Sequence, residues 1–311
     1  MKTSNDRYDA VRTLGPGFAG MALVGASVTV SRALVGAPLL TAQAIRYAAA
    51  ALVLFALAKA LRIPVHRPRG RAWLWLGGIA ASGLALFNVA VVRGVAHAEP
   101  AVIAVAVACV PLVLGVVGPL WERQRPGGRV LLAAPVVVAG AVMVQGTGRA
   151  DAEGVVWAAV ALACEAAFTL LAVPVLREHG PWGVSLHSVW MGAVLLAVLG
   201  VVVEGPTAAA RLDGPAWAAM AYLAVLVTAV AFVLWYFTVS RVGSARAGLL
   251  SGVAPVAAVL AGTAADGSVP RLPVWLGMGL VLAGLAVGLR PGRTAAAPVR
   301  AASGRRVAPR V

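Results

Sequence analysis

Residues 100–126 read PAVIAVAVACVPLVLGVVGPLWERQRP, and residues 244–270 read SARAGLLSGVAPVAAVLAGTAADGSVP. Pro111 falls on Pro255, Gly118 on Gly262 and Pro126 on Pro270, each 144 residues further on, and Val138-Ala139-Gly140 falls on Leu282-Ala283-Gly284 at the same offset. Duplication explains a register held through glycines and prolines. A transmembrane helix needs about 20 apolar residues at 1.5 Å rise. Ten such runs occupy 14–34, 39–58, 72–92, 100–120, 130–147, 154–174, 182–203, 215–237, 245–265 and 272–289. Each half holds five crossings, an odd number, so the second half enters the membrane in the opposite sense from the first. The expected fold is an all-α integral membrane protein of ten transmembrane helices, built as two inverted five-helix repeats at 14–147 and 154–289. A polar tail at 1–13 precedes them, and a basic, disordered tail at 290–311 follows.

Composition agrees, because 61% hydrophobic residues, 12% charged residues and a mean hydropathy of +0.90 leave too little polar surface for a soluble domain. A formal charge of +15 invites a nucleic-acid reading, but the placement of the basic residues argues for membrane topology instead. The two tails and the even-numbered loops hold 20 of the 26 Lys and Arg, with clusters at Arg62 to Arg71 and Arg123 to Arg129, whereas the odd-numbered loops hold Arg93, Arg149, Arg211 and Arg271. The positive-inside rule then puts both termini in the cytoplasm of a cell-membrane protein. No cleavable signal pattern precedes the first helix, which reads as a retained anchor. Cys109 and Cys164 fall within helices and read as small packing residues.

Chemistry has few places to reside. The chain has two lysines and no GxxxxGK phosphate loop, its histidines are scattered, and no His/Cys/Asp cluster has metal-ligand spacing, so no cofactor or metal is expected. Ten of the eleven acids lie in tails, loops or helix ends. Glu165 is the exception, eleven residues into the sixth span and therefore about 16 Å deep. A charge at that depth costs about 2.5 to 3.5 kcal/mol on insertion scales and usually faces a bundle interior or an aqueous cavity. Glu165 thus reads as a titrating group, a cation contact or an ion-pair partner. Arg46, within the second helix, is the obvious partner, through a buried pair or a clamp on backbone carbonyls, with substrate contact as the alternative. Arg32 is near enough to the surface to snorkel.

Pro111 and Pro255 sit mid-span at corresponding positions, where each removes a backbone hydrogen bond and bends its helix. Paired interruptions in inverted repeats point to a central binding site, and inherited packing kinks are the competing reading. The Gly284 to Gly288 step permits close helix contact, either inside the bundle or at a homodimer seam.

The segments AIRYAAAALVL at 44–54, GVAHAEPAVIAVAVACVPLVLGVVGPLWERQRP at 94–126, AGAVMV at 139–144 and AGLAVGL at 283–289 resemble the drug/metabolite transporter superfamily, specifically its ten-helix EamA-type members. The resemblance runs from Gly17 to Leu289. It places Arg46 at the family's arginine position and Glu122-Arg123 at its Glu-Arg, while Asp266-Gly267-Ser268 stands where a Glu commonly follows the ninth helix. It implies a cavity lined by helices one, three, four, six, eight and nine, with Glu165, Pro111 and Pro255 on cavity helices and Arg46 just outside the ring. Ser27, Ser31, Asn88, Thr169, Tyr222, Thr228 and Ser251 are then substrate candidates. For each hydroxyl a bond to its own helix backbone competes with that role. Asn88 is the stronger candidate, because a buried amide needs partners.

The functional expectation is a secondary active transporter, an exporter of a small metabolite such as an amino acid, amine or drug-like compound. Its partners would be that substrate, the lipid bilayer and a coupled proton. A receptor or scaffold without transport is the rival class, and a membrane-embedded enzyme is disfavoured by the lack of a nucleophile, metal cluster or paired carboxylates.

Overall fold

The computed structural model describes residues 2–267 and 269–290, so the basic tail expected at 290–311 lies outside the described residues apart from Arg290. Among the described residues ten helices cross the bundle: α1 (Lys2–Ser31), α2 (Leu39–Ala60), α3 (Ala72–His97), α4 (Pro100–Trp121), α5 (Gly128–Gln145), α6 (Ala152–Leu170), α7 (Val173–Val203), α8 (Gly214–Val242), α9 (Ser244–Asp266) and α10 (Leu272–Gly288). Nine of them are long and apolar enough to cross a bilayer and α10 is a shorter apolar helix, and their outward faces are apolar: Leu52, Leu74, Leu132 and Val202 are each at least 70% exposed. Such surface is stable against lipid and costly against water. This is the all-α membrane fold that the repeats predict.

Several boundaries differ from the sequence expectation. The segment before Leu14 is helical from Lys2, since it contains neither Pro nor Gly to stop α1. Helix α6 ends at Leu170 rather than 174, and α7 begins at Val173 with a kink at Gly180 (φ 63°, ψ 176°) just before Pro181. Glycine alone takes that backbone readily.

Carboxylates fix several helix starts. Asp151 accepts from the Gly154 N–H and Asp213 from the Ala216 N–H, both at 2.8 Å. Glu204, at the end of α7, accepts from the Leu40 and Thr41 N–H groups and the Thr41 hydroxyl, which ties α7 to the start of α2. These amides have no intrahelical acceptor, so each bond satisfies a group that would otherwise be orphaned.

Helices α2 and α7 pack as a pair, and so do α5 and α10. The second pair is in backbone contact: a Cβ added at Gly140 would lie 2.6 Å from the Gly277 carbonyl oxygen. Gly284 meets Val137, and Gly288 meets Leu249 and Ala133, so the GxxxG step is covered inside the bundle. It offers no free seam for a homodimer.

The face at which α1 starts and α10 ends, here the termini face, is built differently from the far face. Helix α4 is interrupted at Cys109 and α9 at Leu250–Gly252, each two or three residues before its paired proline. The interruptions divide both helices into halves. On the termini side Val110–Trp121 buries Val110, Pro111, Leu114, Gly115, Gly118 and Pro119, and it packs against Ser244–Leu249, which buries Ser244, Ala247, Gly248 and Leu249. On the far side Pro100–Ala108 buries Ile103 alone and Val253–Asp266 buries Pro255 alone. There the half of α4 packs on α6, α5 and α3, while the half of α9 packs chiefly on α1 and also on α5. The bundle is closed at the termini face and splayed at the far face.

Candidate functional site

Helix α2 carries a polar hub. Arg46 Nε donates to Thr228 Oγ1 on α8 at 2.9 Å, its Nη1 donates to Gln43 Oε1 one turn earlier at 3.1 Å, and its guanidinium lies 5.3 Å from the centre of the Tyr47 ring. Asn88 on α3 donates through Nδ2 to Tyr47 Oη at 3.2 Å and to the Leu84 carbonyl at 2.6 Å. The hub therefore joins α2, α3 and α8.

Both partner helices open into π-helical turns at this level, at Ile79–Leu86 in α3 and Leu223–Val230 in α8. The two segments are 144 residues apart, so the irregularity belongs to the repeat. A π turn widens the helix and leaves carbonyls off the i−4 ladder, which recurs at functional sites. Asn88 satisfies the Leu84 carbonyl from the first π segment, and Thr228 lies within the second.

Sequence reasoning expected Arg46 to pair with Glu165 or to clamp carbonyls, and the structure corrects this: its guanidinium bonds to a hydroxyl and an amide oxygen. Among the described residues no carboxylate pairs with Arg46 and no cation pairs with Glu165. Arg46, expected just outside the ring of cavity helices, bonds directly to α8, one of those helices. Gln43 and Tyr47 were missed at the sequence level, although the one-turn spacing of Gln43 from Arg46 was readable.

Glu165 lies thirteen residues beyond the start of α6, about 20 Å along the axis, nearer the termini face than the longer span had implied. Its side chain is half-buried and makes no hydrogen bond to protein among the described residues. One turn further on, Phe168 stacks at 5.1 Å on Tyr236, whose hydroxyl donates to the Phe168 carbonyl, and Trp235 Nε1 donates to Thr169 Oγ1. Glu165 thus sits just above a tightly packed aromatic layer between α6 and α8.

The other candidates separate cleanly. Ser27, Ser31 and Ser251 donate to the carbonyls of Val24, Ser27 and Gly248 in their own helices, the local bond that competes with a substrate role. Thr169 is 1% exposed behind Trp235 and touches no open space. Tyr222 is half-buried on α8, below its π segment. Pro111 and Pro255 are both buried at the helix interruptions. His179 is 3% exposed with neither ring nitrogen hydrogen-bonded, and its neighbour His187 accepts at Nδ1 from Trp190 and reaches the His66 carbonyl with Nε2 at 3.0 Å. Among the described residues no three His, Cys, Asp or Glu side chains are placed to hold a metal.

A ten-helix bundle of inverted repeats, with interrupted helices and unpaired charges inside, defines a polytopic membrane transporter. The profile of the EamA-like transporter family matches residues 16–145 and again 152–289, and the chain belongs to that family, whose members are transporters and not enzymes. It is 24% identical over 255 residues to the uncharacterized transporter YetK of Bacillus subtilis (strain 168), covering 78% of this chain and 76% of that one. It is 27% identical over 202 residues to a probable terminal-alkyne amino-acid exporter of Streptantibioticus cattleyicolor, covering 63% of this chain and 67% of that protein. A crystal structure superposes with a TM-score of 0.76 at 22% identity, covering 89% of this chain and 96% of the other, a likeness of fold.

Proposed function

We propose that this transporter is a secondary active exporter of a small zwitterionic metabolite of the amino-acid type, working by alternating access with Glu165 as the proton-coupling group. The observation that carries this reading is the pair of unmatched opposite charges inside the bundle. Arg46 and Glu165 reach α8 at Thr228 and near Tyr236, eight residues apart and therefore about 12 Å along the axis, and among the described residues neither meets an opposite charge. Leaving single charges in a low-dielectric interior is costly unless a mobile partner compensates them. A substrate bearing both a carboxylate and an ammonium group supplies that partner at each end. The relative named as an amino-acid exporter supports the same class and direction.

The remaining elements follow from this reading. The protein resides in the cytoplasmic membrane with both termini inside, as the 20 to 4 distribution of basic residues argues. The splayed face then opens outward, ready to release substrate. Metabolite profiling of cells with and without the protein, followed by flux of the accumulating compound in proteoliposomes under a pH gradient, tests the proposal. A zwitterion that accumulates inside cells lacking the protein and moves with the gradient supports it, whereas purely cationic or anionic substrates would overturn the two-charge reading.

A further inference from the structure

Glu122 closes α4 at the termini face, and its carboxylate bonds to the first residue of α9. Oε1 accepts from the Ser244 N–H at 2.9 Å and from the Ser244 hydroxyl at 2.6 Å. The approach depends on Gly243: its φ of +80° suits glycine, and an added Cβ would lie 3.1 Å from Glu122 Oε2. A carboxylate taking two bonds from a helix start is a strong, charge-assisted contact.

The residue 144 positions after Glu122 is Asp266, at the end of α9, and the backbones agree. Arg123 follows Glu122 with φ 57°, and Gly267 follows Asp266 with φ 65°. The same left-handed turn therefore presents a carboxylate at the end of each helix, one methylene shorter in the second repeat. The carboxylate position of the second repeat is thus kept as Asp rather than lost. Applying the repeat relation to Ser244 leads to Pro100, the first residue of α4.

In the structure these two positions are apart and separately occupied. Asp266 pairs with Arg32 at 3.1 Å in a contact whose side chains are 62% and 47% exposed, a geometry worth little and easily exchanged. The start of α4 is held instead by the α5–α6 connection, where the Glu99 N–H donates to the Arg149 carbonyl and the two side chains pair at 3.2 Å.

We propose that Glu122 and Ser244 form the clasp of the termini-face gate, and that Asp266 with the first turn of α4 forms its repeat-related counterpart at the far face. This rests on the alternating-access reading above. The two clasps are unequal by composition. Ser244 offers Glu122 an amide and a hydroxyl, whereas Pro100 has neither, so Asp266 must use the amide of Ala101 or a later residue. That inequality biases the resting protein towards the state seen here, closed at the termini face and open at the far face.

The test uses pulsed electron spin resonance in liposomes on the full chain carrying Cys109→Ala and Cys164→Ala. One spin-label pair, Gln124→Cys with Arg246→Cys, reports the termini gate, and a second, Ala104→Cys with Ala265→Cys, reports the far gate. Glu122→Gln and Ser244→Ala should lengthen the termini-gate distance, shifting the open-to-closed ratio by about tenfold, as expected for a hydrogen bond to a charged group. Pro100→Ser should shorten the far-gate distance, and Asp266→Asn should cancel that gain. Distances unchanged by Glu122→Gln and Pro100→Ser, or both gates lengthening or both shortening together within one variant, would overturn the proposal. Proteoliposome flux on the same proteins separates the two readings. Distances that move as described without flux of any zwitterion keep the clasp and sink the carrier reading, whereas normal flux with unmoved distances sinks the clasp alone.

Discussion

Gly118 and Gly262 occupy equivalent positions in the two repeats and meet opposite surroundings. A Cβ added at Gly118 would collide with the Ser244 hydroxyl oxygen, while at Gly262 it would find no heavy atom within 4 Å. One sequence feature, used twice, is a tight helix crossing at the termini face and open space at the far face. A duplicated chain with inverted topology can exchange these two environments, and a packed core that is bistable rather than continuously deformable does so between discrete states. Under the alternating access proposed above, the glycine that is idle here is the one required when the far face closes.

The largest expected effects come from breaking this comparison directly. Gly118→Val should destabilise the folded protein by about 1 to 3 kcal/mol through overpacking against Ser244, read as a lowered melting temperature in detergent. Gly262→Val should change stability by less than about 0.5 kcal/mol and still abolish flux in proteoliposomes, because the added side chain obstructs closure of the far face. Equal stability losses in both variants would show that the two crossings are not alternates.

A second, intermediate effect concerns the charges between the two faces. Because Arg46 and Glu165 are not paired, Glu165→Gln should cost under about 1 kcal/mol, not the roughly 3 to 5 kcal/mol of a broken buried pair. The Arg46→Gln and Glu165→Gln losses should add within about 0.5 kcal/mol in the double variant. Glu165→Gln should also abolish the pH-gradient dependence of flux and weaken binding of the ammonium-bearing substrate. Strong stability coupling between the two sites would restore the ion pair expected from sequence.

How far the sequence anticipated this can be judged from particular residues. The ten spans, the repeat register and the paired interruptions near Pro111 and Pro255 were legible because length, hydropathy and the missing proline N–H act locally. The partner of Arg46 was not. Helix depth is readable by counting residues, but the direction a side chain takes around the helix depends on neighbours, and here Arg46 faces Thr228 rather than Glu165. The π segments share no motif, IAASGLAL against LAVLVTAV, and only the 144-residue offset relates them. The hydroxyls of Ser27 and Ser251 turned to their own helices, as short polar side chains in apolar surroundings tend to. Which face stands open is a property of long-range packing, which no local sequence signal carries.

The smallest expected effect lies at the far rim. The Asp151 carboxyl is held below the usual carboxylate range, first by the bond from the Gly154 N–H and then by His97. A depressed value in the folded state stabilises above the unfolded pKa of about 4, and that stabilisation is lost as the pH falls through the lowered value. Asp151→Ala should therefore lower the melting temperature slightly at neutral pH, with the gap to the unmodified protein narrowing in acid. A gap that widens in acid would reverse the sign of this contribution and detach Asp151 from the cap of α6.

The most direct test of the central claim, closed at the termini face and open at the far face, is thiol accessibility in intact cells. With Cys109→Ala and Cys164→Ala as background, Gly262→Cys should react rapidly with a membrane-impermeant maleimide added outside, and Ala245→Cys, beside the Gly118 crossing, should resist the reagent both in intact cells and in inside-out vesicles. Labelling of Ala245→Cys with protection of Gly262→Cys would contradict the account.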